Sequence, residues 1–180
     1  MKPFSFILCV VLLALMSCKT TKNTVTQAQI EALKTLVENK QFRIESNWAY
    51  PQATNAMQQV VNTGILGPGN SANAISLIGN SNFLSISNDS ITSYLPYFGE
   101  RQMQVAYGGG DNAIEFSGVL KNYKVEINKD HSYILSFEAK SKSEHFKVYI
   151  TINPNFSSYM QLSGSSRFPI SYAGNATATK

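Results

Sequence analysis

The chain has 180 residues, 43% of them hydrophobic, and a formal charge of +4 at pH 7. That is length and apolar content enough for one domain with an adequate core. The charge is spread: between Pro51 and Leu120 the only cation is Arg101, and the six lysines from Lys121 to Lys147 alternate with Glu126, Asp130, Glu138 and Glu144, a solvated mixed-charge face that excludes a nucleic-acid footprint.

Lys2 and the apolar run Phe4 to Leu15 open the chain. The run is shorter than the roughly 20 residues a spanning helix needs and fits a secretory signal. Leu15-Met16-Ser17-Cys18 follows and resembles the lipobox of bacterial lipoproteins, in which the cysteine thiol receives a diacylglycerol and becomes the new N-terminus. Residues 1–17 are therefore expected to be a signal peptide, and 18–26 a lipidated N-terminus and tether. Of the two cysteines, Cys9 falls in the discarded segment and Cys18 is the modification site, so the fold must stand without a disulfide. Stable anchoring needs more than one acyl chain, and a multiply acylated Cys18 makes the membrane the first expected partner.

Thr26-Gln27-Ala28-Gln29 matches a capping box, and Ile30, Leu33, Leu36 and Val37 recur at helical spacing, which predicts an amphipathic helix over Gln27 to Asn39 packed on the domain. Glu31–Lys34 and Lys34–Glu38 can pair on its wet side. From Gln41 the period becomes two, with Phe42, Ile44, Trp48 and Tyr50 on one face until Pro51 stops the strand. Ala53, Ala56, Met57, Val60 and Val61 fit a short second helix, and the glycines of Gly64–Asn73 read as a loop. Strands are then expected over Ala74–Ile78, Phe83–Ser87, Ile91–Leu95, Met103–Tyr107, Ala113–Val119, Tyr123–Asn128, Tyr133–Ala139, Phe146–Ile152, Tyr159–Ser163 and Phe168–Ala173. Short strands separated by turns, with no helices between them, indicate antiparallel hairpins. The expected fold over residues 27–180 is mainly β with minor α: one antiparallel β-sandwich or a strongly curved, barrel-like sheet.

Chemistry-bearing patterns are sparse. His131 falls in a turn and His145 at the wet start of a strand, so neither points to a metal, and no G-x-S-x-G stands in the chain. Gly108-Gly109-Gly110-Asp111-Asn112 continues into a strand, whereas a phosphate loop opens a helix. No cofactor is implied. Glu100, Asp111 and Glu115 fall close enough in sequence to keep paired-carboxylate glycan chemistry as an alternative.

Tyr94-Leu95-Pro96-Tyr97-Phe98-Gly99 sets three aromatics around a proline and a glycine. Pro96 cannot donate to a ladder and Gly99 tolerates positive φ, so the segment must turn out of its strand. Leu95 and Phe98 are expected to point into the core, with Tyr94 and Tyr97 nearer the rim; Tyr94, Tyr97 and Tyr107 are the candidate ligand or partner surface. Arg167, if buried, would need an acidic partner, with Glu100 or Glu115 as candidates. Asp89-Ser90-Ile91 resembles an O-glycosylation sequon of exported proteins, although Asp and Ser also suit a hairpin turn, making Ser90 a candidate glycan site.

The run YLPYFGERQM, with Ala113-Ile114-Glu115-Phe116 and the terminal R-x-x-I-x-Y-x-G pattern of Arg167, Ile170, Tyr172 and Gly174, resembles the Bacteroidetes lipoprotein family called domain of unknown function 4251. The resemblance implies an envelope lipoprotein with no assigned activity and supplies no catalytic residues. The expected function is a non-enzymatic binding or scaffolding domain, meeting an envelope protein, a glycan or an apolar small molecule, with a carboxylate-dependent glycan or cell-wall hydrolase as the alternative. Cys18-Lys19-Thr20-Thr21-Lys22 lacks the acidic residues of a surface-export signal, which places the expected anchor on the periplasmic side of the outer membrane.

Overall fold

The computed structural model describes residues 25–102, 113–141 and 144–179; Cys18 with the signal segment, the expected strand Met103–Tyr107 and Asp111 lie outside the described residues. Helix α1 (Gln27–Asn39) begins where the capping box places it. The Gln29 backbone N–H donates to the Thr26 hydroxyl and the Thr26 N–H to the Gln29 side chain. Leu33, Leu36 and Val37 are its buried face, and Lys40, in left-handed geometry, ends it.

Strand β1 (Gln41–Pro51) follows, then helix α2 (Asn55–Asn62) and, among the described residues, nine further strands: β2 (Ile75–Ser76), β3 (Phe83–Ser87), β4 (Ser90–Pro96), β5 (Ala113–Val119), β6 (Lys121–Ile127), β7 (Tyr133–Lys140), β8 (His145–Ile152), β9 (Ser157–Gly164) and β10 (Ile170–Ala178). All pairings are antiparallel, in the order β5-β4-β3-β1-β10-β9-β8-β7-β6, with β2 added beside β1. The two ends of this row, β5 and β6, are consecutive in the chain with only Leu120 between them. Leu120 donates its N–H to the Asp89 carbonyl at the β3–β4 turn, and β5 packs against β7. Of the two expected architectures this is the barrel-like one: a single sheet curled until its edges nearly meet, leaving one seam. Strand alternation fills its interior, most plainly in β8, where Phe146, Val148, Ile150 and Ile152 are buried and His145, Lys147 and Tyr149 are exposed.

β1 corrects one expectation. Phe42 and Ile44 are buried, but Trp48 and Tyr50 lie on the other face, and Ala49 and Pro51 take the inner positions. The cause is a bulge. Ser46 pairs with Gly174 and Trp48 with Ala173, so Asn47 is an extra residue that shifts the phase. The buried Asn82 side chain secures it, accepting from the Ser46 N–H at 2.8 Å and donating to the Ser46 carbonyl at 2.9 Å. A Cβ on Gly174 would stand 1.9 Å from the Glu45 carbonyl oxygen, so only glycine admits this close approach.

The apolar residues of α1 enter the main core, joined by Leu120, Tyr123 and Phe156 at its margin. A smaller cluster of Met57, Ala72 and Ile75, with Val61, Leu66 and Phe98 against it, packs beside it. In α2 the Thr54 hydroxyl caps the helix by accepting from the Met57 N–H. That leaves Ala53 outside the helix and buries Met57 alone among the expected face, with Val61 half-buried. The last strand also starts later and runs longer than expected, from Ile170 to Ala178, because Phe168 and Pro169 belong to the corner described next.

Candidate functional site

The Leu95–Gly99 segment leaves β4 at Pro96 and turns toward the residues that precede β10. Leu95 is fully buried. The Tyr172 hydroxyl, itself inside the core, donates to the Pro96 carbonyl at 2.8 Å. The Tyr97 hydroxyl faces two carbonyls, Glu100 at 2.9 Å and Phe168 at 3.0 Å. Beyond it, the Phe168 N–H donates to the Glu100 carbonyl, the Gln102 N–H to that of Ser166, and Arg101 bridges to Arg167. The two parts of the sequence that carry the resemblance therefore form one corner.

Tyr97 is buried there and not at the rim, because its phenol finds carbonyl acceptors inside, while Phe98 is only half-buried, at the junction of the two apolar clusters. Burial raises the Tyr97 pKa, an effect that the nearby Arg167 charge partly offsets. Burial likewise raises that of Tyr172. Gly99 has ordinary φ; it is needed because a Cβ would stand 2.4 Å from the Tyr97 hydroxyl oxygen. The expected aromatic surface of Tyr94, Tyr97 and Tyr107 is not assembled as such: Tyr94 is exposed on β4, Tyr97 is internal, and Tyr107 lies outside the described residues. Ser90 is exposed at the start of β4, in the hairpin turn where Asn88 takes positive φ.

Arg167 is buried, and its partner is neither Glu100 nor Glu115. Its Nε donates to Glu144 Oε2 at 2.8 Å, with the two side chains 7% and 2% exposed. The other Glu144 oxygen accepts from the Ser166 N–H at 3.0 Å. The guanidinium lies over the Tyr97 ring, 4.7 Å from its centroid, and 5.5 Å from that of Phe146. Gly164 makes room, since a Cβ there would stand 2.2 Å from Glu144 Oε1. Arg167 Nη1 is buried and has no hydrogen-bond partner among the described residues. Sequence reasoning missed Glu144 because it sits in the polar stretch Lys140–His145. The signal available was period two: extended back from Phe146, the inward face of β8 reaches Glu144.

Above this pair opens a cleft of about 830 Å³ that follows the seam between β5 and β7. Among the described residues, Phe116, Phe146, Ala113 and Ala139 supply apolar wall, Arg101, Lys121, Lys140 and Arg167 supply cations, and Glu115 and Glu138 supply carboxylates. Glu138 accepts from Asn122 at 3.0 Å. Among the described residues no three His, Cys, Asp or Glu side chains cluster as a metal site. The arrangement can hold a small molecule by apolar contact along the walls and by charge.

The model of domain of unknown function 4251 matches residues 24–176. The chain belongs to that family. It is also similar to a solved structure, the crystal structure of a family protein from Bacteroides eggerthii, with a TM-score of 0.57 at 12% identity over 84% of this chain and 88% of that one. At that identity the likeness shows the shared fold. None of the curated proteins matches. The family thus establishes the kind of domain, and the seam cleft is what distinguishes a place on it.

Proposed function

We propose that the protein is an envelope lipoprotein whose barrel binds a small molecule in the seam cleft without transforming it. The observation that carries this reading is the cleft itself. The barrel interior is filled with side chains, whereas the seam leaves about 830 Å³ open between strands that share no ladder. That volume lies within the roughly 300–1,000 Å³ of small-molecule sites, and apolar walls with a few charged groups are their usual lining. Gly118 lines the cleft, and a Cβ there would meet nothing within 4 Å, so Gly118→Trp fills the cleft while sparing the core. Native mass spectrometry of protein purified from the envelope should find a small-molecule adduct on the wild type that Gly118→Trp lacks; identical spectra overturn the reading.

Export and anchoring rest on the apolar run and on Leu15-Met16-Ser17-Cys18. Among the described residues no helix is long and apolar enough to cross a membrane, and acyl chains on Cys18 would hold the domain at the periplasmic face of the outer membrane. Cys18→Ser should accumulate as uncleaved precursor that takes up no fatty-acid label. Normal cleavage and labelling of that variant would remove the anchor from the proposal.

A further inference from the structure

We infer that the cleft selects amphiphilic anions, gripping a carboxylate or phosphate oxygen at Arg167 while an apolar body lies against Phe116 and Phe146; this rests on the binding reading above. Arg167 is 7% exposed and is one of the residues lining the cleft, and its Nη1 has no hydrogen-bond partner among the described residues. A buried donor on a charged group is costly to leave unmatched, and an oxyanion is the partner that suits a guanidinium, which presents its N–H groups as a planar fork. The fork is already held: Glu144 fixes Nε, the guanidinium lies 4.7 Å and 5.5 Å from the Tyr97 and Phe146 ring centroids, and Gly164 leaves the space in which Glu144 and Arg167 sit. Such preorganisation lowers the entropy lost when a ligand docks.

The lining carries both charge and apolar surface. Among the described residues, Lys121 and Lys140 line the cleft beside Arg167, with Glu115 and Glu138 as its carboxylates. The apolar wall formed with Ala113 and Ala139 lines the same cleft, so a bare inorganic ion would satisfy only half of the lining. A ligand with an anionic head and a short apolar body satisfies both.

The test uses the intact protein in phosphatidylcholine nanodiscs, titrated with hexanoate, hexyl phosphate, hexanol and inorganic phosphate, and read by NMR at the Arg167 Nε–H and the Gly118 amide. Hexanoate or hexyl phosphate should bind saturably, shift both signals, and bind at least about tenfold tighter than hexanol, the worth of one good charged contact. Lys140→Ala should weaken the anions and leave hexanol unchanged, and Gly118→Trp should abolish all binding. Preference for hexanoate identifies a fatty-acid-like source, and preference for hexyl phosphate a phospholipid-like one; either supports the inference. Hexanol binding as tightly as the anions overturns the oxyanion inference while leaving the cleft reading intact. If no probe moves the Arg167 signal the inference falls, and the adduct comparison with Gly118→Trp separately decides the cleft.

Discussion

Gly99 has no side chain because Tyr97 occupies the space one would need: a Cβ at Gly99 would stand 2.4 Å from the Tyr97 hydroxyl oxygen and 2.6 Å from its Cζ. Gly99→Ala should therefore push the ring off its two carbonyl acceptors and cost about 1–3 kcal/mol, the scale of overpacking a filled site. In a Tyr97→Leu background the same change should cost much less, since the clash is gone. Urea unfolding of the four proteins in this cycle checks the coupling; equal costs in both backgrounds would contradict it.

Arg167 and Glu144 should behave as a unit. Arg167→Met leaves a nearly sealed carboxylate uncompensated, and loss of one partner of a buried pair costs about 3–5 kcal/mol. The double variant Arg167→Met/Glu144→Gln removes both charges and should recover a large part of that loss. Thermal unfolding of single and double variants is the measurement, and a double variant no more stable than Arg167→Met would show that the pair is not coupled.

The bulge in β1 depends on residues far apart in sequence. Asn82→Ala strands the buried Ser46 N–H and carbonyl, for about 1–3 kcal/mol. Gly174→Ala should cost more, because a Cβ cannot stand 1.9 Å from the Glu45 oxygen. Trp48, the single tryptophan, sits just past the bulge, so its emission spectrum reports whether the local phase survives in each variant.

Tyr123 should make the protein sensitive to alkali. Its hydroxyl is buried with no partner among the described residues, and burial pushes its pKa up to about 12. In the unfolded chain a tyrosine deprotonates near pH 10. Between pH about 10 and about 12 the folded state keeps a proton that the unfolded state has lost, so stability falls as pH rises through that window and is unaffected by this group below it. Tyr123→Phe should match or exceed the wild type at pH 7 and lose less between pH 10 and 12. Chemical denaturation across that range tests it, and an unchanged alkaline slope would assign the loss to other groups.

Ser90 is exposed at the edge of a two-residue turn, with Asp89 ion-paired to Lys40 at 3.4 Å. A transferase could reach it without unfolding the barrel. Protein isolated from the native envelope should show a sugar mass that Ser90→Ala lacks; the unmodified mass for both would leave Asp89-Ser90 as turn residues only.

Local patterns marked most of the described elements. The capping box of Thr26 and Gln29 starts α1, and period two marks Phe83–Ser87, Ala113–Val119 and the inward face of β8, because propensity, capping and alternation act between residues a few positions apart. The lipobox-like Leu15–Cys18 and the LPYFG run are likewise legible in one dimension. Tertiary structure decided what depends on closure. Which way Trp48 and Tyr50 face follows from the approach of Gly174 and Asn82 to Ser46, and a phase shift of one residue leaves no trace in β1 alone. Glu144 became the partner of Arg167 because β8 and β9 pair, setting Phe146 opposite Gly164 and carrying Glu144 toward Ser166 and Arg167. The cleft exists only because a sheet that begins at β5 and ends at β6 curls until those edges nearly touch, a consequence of summed strand twist and side-chain volume across the whole barrel.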